Sequence, residues 1–141
     1  MSDPRNAVDF QGIRYSAETF LIDNSTITYS ETVANGSAQV GFAVTLSADS
    51  TVGLVGSGEF VLGKLIKVES DLKAVVQTKG YCTLPGGTSA TLTLGLKIVG
   101  DLGGVSTTDE GYIQAVSTED TVSRGIIINN DTTTAVVVDL G

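Results

Sequence analysis

The segment of residues 59–87, EFVLGKLIKVESDLKAVVQTKGYCTLPGG, constrains the fold of this chain more than any other segment. Apolar and charged residues alternate along Ile66-Lys67-Val68-Glu69, which is the two-residue period of a half-buried β-strand. A polar turn at 70–73 follows, and a second apolar run at 74–84 ends at Pro85-Gly86-Gly87, a strong strand terminator. The pattern predicts a hairpin with strands over 61–69 and 74–84 and with almost no reactive side chain.

The composition extends this prediction to the whole chain. With 141 residues the chain is one domain by size. Only 6% of the residues are aromatic, and 17 are glycines, which fits short aliphatic strands joined by turns. Because no helix is strongly signalled, the sequence predicts an all-β fold, a small single-domain β-barrel or β-sandwich with an extended N-terminal arm. Further strands are predicted over 26–29, 40–46, 51–55, 90–94, 97–99, 111–116, 125–128 and 133–140.

The first 35 residues form a section with weak periodicity. Asn35-Gly36 is a strong turn signal, and the β pattern is continuous after it. The sequence therefore divides into an N-terminal arm or hairpin at 1–35 and a β-rich core at 36–141. Two alternatives stay open for the first section: a hairpin packed on its own domain, or an arm that reaches a neighbouring subunit.

The charge pattern excludes several classes of partner. The formal net charge is −8, from 16 acidic and 8 basic residues, and such a surface repels phosphate, so direct nucleic-acid binding is not expected. No apolar run approaches the roughly 20 residues of a membrane span. The start of the chain, MSDPRNAVDF, lacks the basic and apolar regions of a signal peptide, which predicts synthesis in a cytosol.

The chain offers little catalytic chemistry. It contains no histidine, which excludes Ser-His-Asp and Cys-His catalytic arrangements and histidine-based zinc sites. Cys82 is predicted to be a packing residue, and the acidic pairs Asp109-Glu110 and Glu119-Asp120 to be solvated charge rather than calcium ligands. The glycine-rich run at 53–58 lacks the Lys-Ser/Thr of a phosphate-binding loop. We therefore predict no catalytic residue, no cofactor and no metal.

The segment from Val44 to Gly87 resembles the capsid decoration, or cement, proteins of tailed bacteriophages. The same order of elements continues through ATLTLGLKIVG, GYIQAV, SRGIIINN and TTTAVVVDL, so the likeness covers residues 44–140. The resemblance implies a small β domain that is made in the host cytoplasm and binds the outside of an icosahedral shell. It also implies the major capsid protein as partner, assembly as a homotrimer, and no enzymatic activity.

Two sets of contact residues are predicted from apolar residues in unusual settings. For the capsid contact we expect the N-terminal section, because its apolar residues lack regular periodicity: Val8, Phe10, Ile13, Tyr15 and Phe20. The last strand is apolar on both faces, which predicts burial from both sides or between subunits. The trimer-interface candidates are accordingly Val136, Val137 and Val138.

Two other functions stay open beside capsid stabilisation. One is a structural component of a phage tail or fibre. The other is a carbohydrate- or surface-binding β module, against which the lack of tryptophan and the presence of only 4 tyrosines argue. An enzyme is the least expected class.

Overall fold

A computed structural model describes residues 16–88, 90–103, 109–116 and 122–141. Within these ranges the chain is built from β-strands and loops, with one short 3₁₀ turn at Ala34–Gly36. The strands are β1 (Ser16–Ile22), β2 (Ala43–Ala48), β3 (Thr51–Leu54), β4 (Gly63–Val68), β5 (Lys73–Lys79), β6 (Tyr81–Leu84), β7 (Lys97–Gly103), β8 (Asp109–Val116), β9 (Ile126–Asn129) and β10 (Val136–Asp139). The predicted all-β class is confirmed.

The first five strands form a closed barrel in the order β1-β3-β2-β4-β5, with β5 returning to β1. All neighbours are antiparallel except β1 and β3, which pair in parallel at Leu21 and Ile22. Alternate residues of each strand point to opposite faces, so every second side chain enters the barrel. The buried interior residues are Ile22, Ile27, Val44, Val52, Leu65, Val68, Ala74 and Val76. The predicted small β-barrel is therefore present.

The remaining strands surround a second apolar core. A three-stranded sheet, β6-β10-β9, faces a two-stranded ribbon, β7-β8. Paired backbone bonds between Ile98 and Arg124 link the ribbon to the β9 side, and Gly86 forms a bridge to Ile113 on the β6 side. The strands thus curve around one set of buried side chains, among them Cys82, Leu84, Ile98, Ile113, Ile127, Val136 and Val138.

One predicted strand is broken into two. Residues 74–84 form β5 and β6, which belong to different sheets, because Gly80 lies between them with φ of +93°. The fully buried Gln77 amide spans this break: its Nε2 donates to Lys79 O at 3.0 Å and to Tyr81 O at 2.9 Å. The segment 59–87 is therefore more than a hairpin, since it joins the barrel to the second sheet.

Two other predicted strands are loops. Residues 26–29 follow an Asp23 turn that accepts the amides of Ser25, Thr26 and Ile27. At 90–94 the alternating leucines do not share a core, because Leu92 is buried whereas Leu94 is 55% exposed. Only Leu92 of the two leucines points inward, so the alternation of leucines at 90–94 does not mark one buried face of a strand.

The predicted turn at Asn35-Gly36 is present, with φ of +59° and +82°. A Cβ on Gly36 would lie 1.8 Å from the carbonyl oxygen of Val68, so the turn packs directly on β4. The chain before this turn belongs to the barrel: residues 16–22 form β1, and Ile27 is fully buried inside. Residue 35 is thus not a boundary between the barrel and a separate arm, and residues 1–15 lie outside the described residues.

Candidate interaction surfaces

The predicted capsid-contact residues fall in two places. Val8, Phe10, Ile13 and Tyr15 lie outside the described residues. Phe20 is in β1, where it packs half-buried against the barrel core on the same side of the strand as Ile22. Because the Phe20 side chain packs against the barrel core, only part of its surface is accessible to a partner.

The predicted trimer-interface residues form a central strand. β10 lies between β6 and β9, and Val138 is opposite Cys82 on one side and Ile127 on the other. Val136 and Val138 are fully buried in the second core, and Val137 is half-buried on the opposite face. Burial within the chain accounts for the apolar pattern, so Val136 and Val138 have no surface left for a subunit contact. The homotrimer itself stays a prediction.

Arg124 is the most highly connected polar side chain at the junction of the two halves. Its Nη1 donates to Leu62 O at 2.8 Å, and its Nη2 donates to Thr78 O at 2.9 Å. Both carbonyls belong to the barrel side, whereas Nε and Nη2 donate to Leu140 O, which follows β10. One guanidinium fork thereby ties three chain segments together.

The electrostatic setting of Arg124 is that of a half-buried cation held by carbonyl dipoles. Burial lowers the pKa of Arg124, but a guanidinium is protonated in proteins throughout the physiological range. The Phe60 ring lies 5.7 Å from the guanidinium carbon, close enough for a cation–π contact. Sequence reasoning missed this role; the available signal was a lone arginine directly before the apolar run GIII.

Cys82 packs in the second core as predicted, with 6% of its surface exposed. Burial raises the pKa of its thiol to about 12, so the thiolate is not populated at neutral pH. The predicted absence of nucleophile chemistry at this position therefore has a physical cause in the fold.

No group of three or more His, Cys, Asp or Glu side chains suited to a metal occurs in the described ranges. Asp109 and Glu110 begin β8, and the pair Glu119-Asp120 lies outside the described residues. Among the strands and loops that the structure covers, no helix is long and apolar enough to span a membrane.

The outer surface of β4, β5 and β1 carries most of the basic side chains that the structure describes. Leu65, Ala74 and Val76 point into the barrel, so the alternate residues point outward. We call this surface the lysine face; it comprises Lys64, Ile66, Lys67, Lys73, Val75, Lys79, Thr19 and Leu21. It holds four of the six basic side chains that the structure describes. Two carboxylates at its rim approach it: Glu69 is 3.8 Å from Lys67, and Asp71 is 3.8 Å from Lys73.

A second charged surface lies at the far end of the β7-β8 ribbon. Gly103 pairs with Asp109 there, and Asp101 pairs with Tyr112. The Glu59 carbonyl accepts the Gly100 amide at 2.8 Å, which brings the 56–59 loop against the same end. We call this surface the acidic end; it comprises Glu59, Asp109 and Glu110, whereas the Asp101 carboxylate lies on the other face of β7, against Gly87. Lys97, the described lysine of the ribbon, lies at the opposite end of β7.

A cleft of about 530 Å³ lies between the barrel and the second sheet. Phe42 and Tyr112 line it, with ring centroids 5.3 Å apart and a tilt of 51°. The opposite wall comes from Pro85 and Leu92 together with threonine hydroxyls at 88, 133 and 134. Aromatic and aliphatic side chains together with a few polar residues are the usual lining of a small-molecule pocket.

Comparison of the chain with protein-family models, with curated proteins and with solved structures finds no match.

Proposed function

We propose that this protein is a virion structural protein that binds the outer surface of a phage capsid and stabilises contacts between major capsid protein subunits. It would be made in the host cytoplasm and reside on the capsid exterior, without enzymatic activity. The observation that carries the proposal is the resemblance of residues 44–140 to the decoration proteins of tailed phages.

Two properties of the fold support this role. A capsid clamp needs a rigid body, and the barrel and the second sheet are joined by the Arg124 bonds and by a buried Gln77 amide. It also needs docking surfaces, and the lysine face combines charge with half-buried or exposed apolar groups such as Ile66 and Leu21. Interfaces of standard size, about 1,600 Å² in total, suffice for a stable contact.

The N-terminal section is the part proposed to contact the capsid. β1 begins at Ser16, whose carbonyl accepts the Thr78 hydroxyl near the junction of the two halves. Four of the five candidate residues precede Ser16: Val8, Phe10, Ile13 and Tyr15. Phe20 is the fifth, and its place in the barrel makes it a structural residue first.

Co-sedimentation tests the proposal. The protein would be mixed with heads assembled from the major capsid protein encoded nearest to its gene, and pelleted protein would be measured by densitometry. We expect saturable binding to expanded heads. A deletion of residues 1–15 should abolish or strongly reduce it, whereas a deletion of residues 1–7 keeps all four apolar candidates and serves as the matched control.

The deletion must stop at residue 15, because residues 16–22 form β1 and their loss would open the barrel. Circular dichroism of both truncated proteins checks that the fold persists. Absence of binding by the full-length protein to any such head, or a gene placed among tail genes, would favour the tail or fibre alternative instead.

The cleft lined by Phe42 and Tyr112 favours a second candidate function, a carbohydrate- or surface-binding module. Aromatic rings beside threonine hydroxyls are a frequent arrangement for small polar ligands with apolar faces. The two rings tilt against each other, so neither offers a fully open stacking platform. Binding on a glycan array that is lost in Tyr112→Ala would support this alternative over capsid binding.

A further inference from the structure

We infer that the lysine face of one copy docks on the acidic end of a second copy. This contact goes beyond the proposed function, because it is a property of the protein alone and can be measured without any capsid. Failure of the contact and failure of capsid binding therefore show up in separate experiments.

The charges of the described residues are strongly segregated. Outside the lysine face the basic side chains are Lys97 and Arg124, and the latter is half-buried among carbonyl oxygens. Two of the twelve described carboxylates form the rim pairs, and a third, Glu31, lines a concave site together with Lys67 and Glu69. Glu18, although on β1, alternates to the side opposite Thr19 and Leu21. In a protein with net charge −8, most of the basic side chains that the structure describes are thus gathered on one surface.

The lysine face also has the apolar content of an interface. Leu21 is 46% exposed on β1, and Ile66 and Val75 are half-buried between the lysines. Lys67 and Lys73 expose about half of their side chains, at 54% and 52%, and their rim partners are exposed to the same degree. Such exposed pairs at 3.8 Å hold the lysines weakly, so these side chains remain able to pair with a partner.

The acidic end provides the complementary surface on the same molecule. Glu59 and Glu110 are exposed, and Asp109, which precedes Glu110 in β8, is half-buried. Repulsion between copies that carry −8 is lowest where a basic surface meets an acidic one, so charge selects this orientation over the alternatives. The two surfaces lie on different halves of the chain, which makes the contact heterologous, and a heterologous contact closes into a ring when the rotation allows.

The contact is expected to be weak in solution. Each exposed ion pair changes an association constant by at most about fivefold. Weak contacts of this kind are sufficient for a ring that is bound to a capsid, because copies held on a common surface meet at high effective concentration.

The test is the mass of the purified full-length protein by sedimentation velocity and light scattering over a wide concentration range. At about 50 mM salt we expect the mass to rise with concentration from 14.5 kDa toward that of three copies, and to fall back at about 500 mM salt, where screening is stronger. The double reversals Lys67→Glu/Lys73→Glu and Glu59→Lys/Glu110→Lys should each weaken association about tenfold or more.

The decisive variant carries all four reversals in one chain. The four reversed side chains again carry opposite charges on the two surfaces, so association should return toward the wild-type level although each pair of changes alone weakens it. The single change Lys97→Glu reverses the charge of an exposed lysine outside the lysine face, and it is the matched control for the single change Lys73→Glu. Circular dichroism confirms that every variant is folded.

Three outcomes would overturn the inference. They are a mass of 14.5 kDa at every concentration in low salt, association that the double reversals leave unchanged, and a folded fourfold variant that stays monomeric. Recovery in the fourfold variant cannot come from a general change in net charge, because its net charge equals that of the wild type.

Discussion

Replacement of Arg124 by methionine tests how the two halves of the molecule are held together. The side chain donates to the carbonyl oxygens of Leu62, Thr78 and Leu140, two from the barrel and one from the end of the chain. Methionine has a similar length and no donor, so Arg124→Met leaves three acceptors without this partner. A hydrogen bond to a charged group contributes about 1.5–3 kcal/mol to stability.

The full value does not apply to all three bonds. Arg124 is half-buried, so water can replace part of the lost bonding, and the lower end of the range is appropriate. We therefore expect the free energy of unfolding to fall by about 3–5 kcal/mol. For a chain of this size the melting temperature should fall by roughly 10–20 °C.

Urea and thermal unfolding followed by circular dichroism measure this change, since the chain has no tryptophan to report by fluorescence. Arg124→Lys keeps the charge but lacks the planar fork, so it should lose an intermediate amount. Lys97→Met removes an exposed cation elsewhere and should stay within about 0.5 kcal/mol of the wild type. A folded Arg124→Met protein within about 1 kcal/mol of the wild type would refute the reasoning. It would mean that the Arg124 side chain is not needed to join the halves.

Of two further predictions, the first concerns a close backbone approach at Gly63 and the second concerns the pKa of Asp23. A Cβ on Gly63 would lie 1.9 Å from the Gln77 carbonyl oxygen. Gly63→Ala should therefore lower the free energy of unfolding in urea by about 3 kcal/mol or more. Gly56→Ala is the control and should lower it far less, because a Cβ there meets only the flexible end of a glutamate side chain. Burial raises the pKa of Asp23, but hydrogen bonds from the Thr26 hydroxyl and from three amides outweigh it and lower the pKa below 3.8. A lowered carboxyl pKa contributes stability above the unfolded-state pKa, which is lost as the pH falls through the folded-state value. Asp23→Asn should therefore be less stable than the wild type by about 1 kcal/mol at pH 7, with the difference disappearing in acid; a constant difference down to pH 2 would contradict this.

The strands of this fold could be predicted wherever a periodic apolar pattern coincides with a single core. Residues 61–69 and 111–116 correspond to β4 and β8 because their alternate side chains enter one interior. The run 74–84 was predicted as one strand because Gly80 leaves the apolar pattern intact while it redirects the backbone. A strand that changes sheets cannot be distinguished from a long strand by periodicity.

The order of the strands and the junction were not accessible from the sequence. β1 pairs in parallel with β3 and antiparallel with β5, pairings that depend on how the chain closes on itself. Arg124 is functional in the fold only because the Leu62, Thr78 and Leu140 carbonyls converge on it. Local propensity carries no information on such long-range convergence. The lysines of β4 and β5, by contrast, can be recognised in the sequence, because they occupy the outward-facing positions of the alternating apolar and charged pattern.

The junction also bears on the proposed association. The lysine face belongs to the barrel and the acidic end belongs to the β7-β8 ribbon, so a ring of copies closes only if the angle between these two parts is fixed. The Arg124 backbone is bonded to Ile98 of β7, and its side chain is bonded to Leu62 and Thr78 of the barrel side. The same residue therefore connects the element that carries the acidic end to the element that carries the lysines. Stability and the proposed association should therefore both fall when this half-buried cation is replaced.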